Sequence, residues 1–372
     1  MKLVFTSYVS SPEYDQPVIW LRRIKAYIGI LESLNIDNTV IGIERINYEG
    51  GHEQNGVQYY FIKQKNRVVY FPWRMHRLVK KLKPDVVFVN GFIFPLQTIQ
   101  LKLKLGRRVK IIVINRAEKP GTGRRKFLQR WADRYVHRYL FTSKEMGAEW
   151  VQHGIIANEN KIEEIIGASS FFSVMDKEEA RRKTGINGGP VFLWVGRLDA
   201  NKDPLTVIKA FGEFIKQKPS AKLYMIYHTE ELKDAIINFC KKDNNLQNAV
   251  TLIGKVPHEE MQYWYSSADF IIAASHYEGS GVAVCEAMSC GCIPIITNIQ
   301  SFRKMTGPGP QGSVSKCGFL YEPGDDEGLL KILLQTGRLN MEEEKNKVLK
   351  QFKEELSFGA IAKKINAVIN TW

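Results

Sequence analysis

The chain of 372 residues is 44% hydrophobic and 25% charged, an ordinary globular composition on a length that exceeds one compact core and suits two domains. No run reaches the roughly eighteen apolar residues of a membrane span, and five cysteines without zinc-ligand spacing argue for reduced thiols over a disulfide framework. The net charge of +14 sits almost wholly in the first half: residues 1–167 carry 28 Lys and Arg against 15 Asp and Glu, residues 168–372 carry 25 against 24.

From the N-terminus, strand-like runs at Lys2–Tyr8, Thr39–Ile43, Val57–Ile62, Val86–Asn90, Lys110–Ile114 and Tyr139–Thr142 alternate with helix-like segments near Val18–Leu34, Trp73–Leu82, Leu96–Leu105, Arg125–His137 and Lys144–Gln152. That alternation predicts an α/β domain with a mostly parallel sheet and helices on both faces. Met1 to Thr6 reads as a strand, without the long apolar run or cleavage site of a signal peptide, and the expectation is a cytoplasmic chain. Lys63 to Arg138 holds 21 basic and 3 acidic residues, in runs interleaved with Phe, Leu and Trp such as Arg124-Arg125-Lys126-Phe127-Leu128-Gln129-Arg130-Trp131. Such faces suit an anionic membrane surface, nucleic acid, or plain solvation. No helix-turn-helix, zinc-finger or aromatic RNA-reading signature supports nucleic acid, and none is expected as a partner.

The alternation pauses between Ile166 and Gly188, which divides the chain into a first domain, 1–170, and a second, 171–355. A helical end, 356–372, is expected to fold back on the first. In the second domain Val191–Val195 is a buried strand followed by Arg197 and Lys202, placed beyond its carboxyl end just before a helix. Arg and Lys there suit a diphosphate, by bidentate contact and by point charge. The strand ending at Gly254 is followed by Lys255, Val256, Pro257 and His258, a turn that either sets backbone amides against a base or simply leads into the next helix with His258 near its N-cap.

The most informative stretch runs from Ala268 to Thr297. An apolar strand, Asp269 to Ala274, leads into Ser275-His276-Tyr277-Glu278-Gly279-Ser280-Gly281-Val282, a helix carries Glu286, and after Gly291 a second apolar strand covers Ile293 to Thr297. Gly279 and Gly281 allow close backbone approach, and the free amides at the helix start form an anion site. Glu278 and Glu286, eight positions apart, would accept hydrogen bonds from hydroxyls on either side of a bound phosphate.

Gly196-Arg197-Leu with Lys202, Gly254, Tyr265-Ser-Ser-Ala268-Asp269, the Glu278 to Gly291 stretch with Pro294, and Gly318-Phe-Leu with Pro323-Gly324 together resemble the second domain of retaining glycosyltransferases of family 4. The resemblance implies the GT-B architecture, two Rossmann-like doubly wound domains facing a cleft. It implies transfer of a sugar from a nucleotide diphosphate donor, UDP- or GDP-linked, with retention and without an obligatory metal or other cofactor. Carried over by position, Arg197 and Lys202 hold the diphosphate, Glu278 with the amides of Gly279, Ser280, Gly281 and Val282 holds donor sugar and phosphate, Glu286 holds the ribose, and Gly254, Lys255 and Val256 meet the base. The acceptor is expected to be a lipid-linked or polysaccharide precursor at the inner face of the membrane.

Two departures stand out. Arg116 occupies the position where relatives often carry a histidine, and the Gly-rich loop after the first strand is replaced by Ser7 to Pro17. Arg116 or Asn115 would then contact the donor sugar, or else Arg116 marks an unusual or negatively charged donor, or a GT-B protein that holds nucleotide sugar or a partner without turnover. A dinucleotide oxidoreductase is disfavoured, because no Gly-x-Gly-x-x-Gly follows a first strand in either half.

Overall fold

In a computed structural model, residues 1–63, 71–309 and 315–371 are described. The chain divides into two compact units, one of residues 1–169 with 358–372, the other of 170–357.

Unit 1 is built on an eight-stranded sheet: β1 (Lys2–Ser7), β2 (Thr39–Glu44), β3 (Gly50–Gln54), β4 (Val57–Phe61), β5 (Val86–Asn90), β6 (Lys110–Ile114), β7 (Arg138–Phe141) and β8 (Ile162–Glu164). Its order is β3-β4-β2-β1-β5-β6-β7-β8, and only β3 runs antiparallel, as a hairpin on β4. The central strands β1 and β5 are buried continuously from Leu3 to Thr6 and from Val86 to Asn90 because helices cover both faces. Phe5 and Phe88 stack across them with ring centroids 4.2 Å apart.

The helices of unit 1 are α1 (Pro17–Arg23), α2 (Lys25–Leu34), α3 (Trp73–Leu82), α4 (Pro95–Leu105), α5 (Gly123–Asp133) and α6 (Lys144–Gln152). The expected single helix over Val18–Leu34 is broken at Ile24, whose φ of −101° and ψ of 23° leave the helical region. β3 and β8 were not expected. β3 reads Gly-Gly-His-Glu-Gln, an edge strand held by pairing alone and without apolar alternation.

Unit 2 carries α7 (Lys177–Thr184), β9 (Val191–Gly196), α8 (Pro204–Ile215), β10 (Lys222–Tyr227), α9 (Lys233–Cys240), α10 (Asn244–Ala249), β11 (Val250–Gly254), α11 (Met261–Ser267), β12 (Phe270–Ala273), α12 (Val282–Ser289), β13 (Ile293–Thr297), α13 (Gln300–Thr306), β14 (Phe319–Tyr321), α14 (Asp326–Gln335) and α15 (Met341–Gln351). Its six strands are all parallel in the order β11-β10-β9-β12-β13-β14. Counted from β9 this is the doubly wound order 3-2-1-4-5-6, whose switch point lies between β9 and β12. Phe192 of β9 stacks on Phe270 of β12 at 5.0 Å and meets Phe211 and Phe214 of α8 edge-on.

After α15, a wide turn over Phe352–Leu356 is followed by the last helix, α16 (Phe358–Ile369), which packs on α2. Gly29 of α2 is required there: a Cβ would stand 2.6 Å from the Phe358 ring. Asn366 ties the same helix to Asn38 and Asp37.

Candidate functional site

At the switch point of unit 2, the loops after β9 and β12 leave the carboxyl ends of two paired strands and are stitched to one another. His276 donates its backbone N–H to Asn201 O at 2.9 Å, and Asn201 Nδ2 donates to Tyr277 O at 3.1 Å. Asp203 caps α8 through the amide and hydroxyl of Thr206, and its carboxylate also meets His276 Nε2 at 3.1 Å. Asp203 has a φ of 41°, left-handed backbone that an Asp tolerates because its short side chain bonds locally, and Pro204 follows at the first helical position. Thr297 Oγ1 holds Ser275 O at 2.6 Å from the neighbouring strand β13.

On this frame Lys202 reaches across and its ammonium bonds Glu278 Oε1, which also accepts from Ser275 Oγ at 3.0 Å. Both charged side chains are mostly buried, 22% and 16% exposed. Burial first, and then the Arg197 charge, push the Lys202 pKa down to about 8, while Asp199 works in the other direction. The loop turn is set by Asp199, whose carboxylate takes the Lys202 amide at 2.9 Å and pairs with Arg197 at 3.1 Å. Arg197 is half exposed, so its guanidinium is held at the base and open at the tip.

Beyond Glu278 the chain turns into α12 at Gly281, with φ 51° and ψ 49°, a cap residue that has no side chain to bond the first-turn amides. A Cβ at Gly281 would lie 2.7 Å from Phe302 Cε1 and 3.0 Å from Met305 Sδ, so the close approach to α13 demands glycine. Of the two loop glycines, Gly281 takes the left-handed conformation. The N-terminus of α12 therefore presents amides and a partial positive charge beside the Lys202–Glu278 pair.

Glu286, one and a half turns into α12, is 7% exposed at its side chain. Tyr265 Oη donates to its Oε2 at 3.1 Å, and His258 Nε2 lies 2.7 Å from its Oε1. Burial and the Glu286 charge drive the Tyr265 hydroxyl well above its ordinary pKa, so it stays a donor. His258 also lies against the Phe172 ring, centroids 5.1 Å apart. The loop before it turns at Gly254 (φ 85°), exposing Lys255 and tucking Val256 against the core.

Eleven of the twelve sequence-predicted residues thus lie at one end of the unit 2 sheet: Arg197 and Lys202 after β9, Gly254, Lys255 and Val256 at the end of β11, and Glu278, Gly279, Ser280, Gly281, Val282 and Glu286 after β12. Asp199, Asn201, Asp203, Ser275 and His276 were missed: Asn201, Asp203 and His276 act by bonding across the two loops, and Asp199 and Ser275 by fixing Lys202, Arg197 and Glu278 within their own loops. Tyr265 and His258 were visible as motif residues, but their pairing with Glu286 needs the three-dimensional fold.

Arg116 lies in unit 1, after β6. Its guanidinium donates to Asn90 Oδ1 at 2.9 Å and Gly167 O at 2.8 Å and stands over the Tyr27 ring, 4.4 Å from its centroid. Its amide is taken by Glu118 Oε2 at 2.7 Å, next to Ala117 at φ 70°. Nearby Glu44 is buried, which raises its pKa to about 7, against the Trp20 indole hydrogen bond and the Arg116 charge that lower it. Among the described residues no group of three His, Cys, Asp or Glu could hold a metal ion, and no helix is long and apolar enough to cross a membrane.

Residues 176–355 match the family Glycosyl transferases group 1, and residues 36–165 match Glycosyltransferase Family 4. Over 126 residues the chain is 27% identical to the GDP-mannose:cellobiosyl-diphosphopolyprenol alpha-mannosyltransferase of Xanthomonas oryzae pv. oryzae, covering 34% of this chain and 33% of that protein. Over 135 residues it is 30% identical to the mannosylfructose-phosphate synthase of Agrobacterium fabrum, covering 34% of this chain and 30% of that one. The matched segments thus span about a third of these curated relatives. Among solved structures, Anabaena HepE in complex with UDP superposes with a TM-score of 0.74 at 13% identity, covering 100% of both chains. Sucrose-phosphate synthase from Thermosynechococcus elongatus does so with a TM-score of 0.71 at 17% identity, covering 100% of this chain and 99% of that one. These likenesses show the fold, two α/β domains of the GT-B type.

Proposed function

The chain belongs to glycosyltransferase family 4, and on that premise we propose that it moves a sugar from a UDP- or GDP-linked donor to a lipid-linked or polysaccharide precursor at the cytoplasmic face of the membrane, with retention of anomeric configuration. The observation that carries this reading is the Lys202–Glu278 pair beside the uncapped N-terminus of α12, with buried Glu286 eight residues further on. A Xanthomonas relative named for a GDP-mannose donor and a diphosphopolyprenol acceptor supports the donor and acceptor classes, and a fold neighbour solved with UDP supports the nucleotide.

Breaking the anomeric bond puts negative charge on the departing diphosphate. Lys202, Arg197 and the amides of Gly279 to Val282 meet that charge more strongly in the transition state than in the ground state, which is what accelerates the step. When the diphosphate takes the Lys202 ammonium, Glu278 is released to accept hydrogen bonds from the donor sugar. Glu286 accepts from the ribose hydroxyls, with Tyr265 holding one oxygen and half-exposed His258 yielding the other. The leaving phosphate oxygen takes the acceptor's proton, so no protein base enters the step. Arg116 has its guanidinium committed within unit 1, and the reading gives it a positioning role there.

The test is a thermal-shift and nucleotide-release screen against UDP-, GDP-, ADP- and dTDP-sugars. One nucleotide class should raise the melting temperature and release nucleotide on turnover, and Glu286→Ala should abolish both. If no nucleotide shifts the protein, or Glu286→Ala shifts as wild type does, the donor site is elsewhere.

A further inference from the structure

On one face of the unit 1 sheet, α4 packs against both α3 and α5. Their outer surface is unusual for a globular layer. Trp73, Phe127 and Leu103 are 69%, 69% and 66% exposed, and Phe71 is 60% exposed. Single exposed apolar side chains are ordinary, but several on adjacent helices are not. Phe71 and Trp73 stack at 6.4 Å, and Lys104 from the end of α4 lies over the Trp73 ring at 6.0 Å, which joins the start of α3 to α4. On α5, Phe127 and Trp131 are four residues apart and share the outward face.

The charge of this layer is one-sided. The three helices carry ten Lys and Arg against one acid, Asp133, which is buried and bonded to Tyr139 and Lys161. Among the described residues, Arg77, Lys80, Lys81, Arg124, Lys126 and Arg130 have no carboxylate within ion-pair distance. Exposed aromatic and aliphatic side chains set among unpaired cations match an anionic bilayer surface, where rings enter the headgroup region and cations meet lipid phosphates. A nucleic acid would use the cations and leave the apolar side chains unexplained.

We propose that the α3–α4–α5 face of unit 1 docks on an anionic lipid bilayer, with Phe71, Trp73, Leu103 and Phe127 entering the headgroup region and Lys104, Arg124 and Arg130 on lipid phosphates. This deepens the membrane placement of the reaction and rests on it, but the surface and the donor site occupy different units and are tested separately.

The full chain is sedimented with phosphatidylcholine vesicles containing or lacking 30 mol% phosphatidylglycerol, as wild type, as Trp73→Ser/Phe127→Ser and as Arg124→Glu/Arg130→Glu. The wild type should bind the anionic vesicles, less so at 0.5 M salt, and each double variant should bind at least about tenfold more weakly, since each basic residue near an anionic surface contributes roughly fivefold and two aromatic side chains leaving the headgroup region lose at least as much. Unchanged melting temperature and nucleotide shift in the variants separate this surface from the donor site. Equal vesicle binding by wild type and both variants overturns the proposal. So does binding of duplex DNA or self-association in sedimentation velocity with no vesicle binding.

Discussion

Lys202→Ala isolates the part of the site on which the reading depends. In the unliganded protein two effects oppose. The substitution breaks an ion pair whose partner, Glu278, is 16% exposed, and it also removes an ammonium whose pKa burial has pushed down to about 8. The change in stability without ligand should therefore stay within about 1 kcal/mol, well short of the roughly 3–5 kcal/mol of a fully buried broken pair. The effect on binding has no such cancellation. A charge-assisted contact to phosphate contributes about 2 kcal/mol, or roughly thirtyfold in Kd. With nucleotide at about 100 times the wild-type Kd, ligand stabilises wild type by about 2.7 kcal/mol and the variant by about 0.9 kcal/mol. At roughly 2–4 °C per kcal/mol for a domain of this size, that is a shift of about 5–10 °C against about 2–4 °C. The assay is differential scanning fluorimetry with the nucleotide that stabilises wild type, checked by calorimetric Kd. Equal shifts in the two proteins would refute the assignment of Lys202 to the diphosphate.

Because Lys202 loses its proton near pH 8, affinity for the nucleoside diphosphate should fall as pH rises from 7 to 9, whereas the unliganded protein should gain stability over the same rise, since only its unfolded state keeps that proton; Lys202→Arg should flatten both in titration calorimetry and urea unfolding. Gly281→Ala places a Cβ 2.7 Å from the Phe302 ring on left-handed backbone, and should destabilise unit 2 by about 2–4 kcal/mol with loss of nucleotide binding, whereas Gly279→Ala should change melting far less. Glu44, raised by burial from 4.5 to about 7, favours the folded state in its protonated form, so its contribution is complete below about pH 4.5 and lost by about pH 7. Glu44→Gln should therefore unfold at higher urea than wild type at pH 7.5 by about 3 kcal/mol of stability, with the difference vanishing toward pH 4.5.

The alternation of apolar runs with amphipathic segments was enough to place most strands and helices, because buried parallel strands are apolar along their whole length and so declare themselves locally. Where pairing rather than side-chain pattern holds an element, as in β3, the sequence was silent. Arg197, Lys202, Glu278 and Glu286 were legible because each lies in a short motif just beyond an apolar strand, in the loop after β9 or in the loop and helix after β12, and those motifs resemble the ones of family 4 glycosyltransferases. Their partners were not. That Lys202 lies on Glu278, 76 positions away, that Tyr265 and His258 share the two oxygens of Glu286, and that Asp203 and His276 lock the two loops together are consequences of β9 pairing with β12. Likewise the net positive charge of the first half could be counted, but only the packing of α4 against α3 and α5 shows that its exposed rings and unpaired cations share one layer. Local composition dictates which groups exist and which face each element buries; the close approach of groups distant in sequence is decided by sheet order and loop geometry, and that approach sets their charge, their hydrogen bonds and their chemistry.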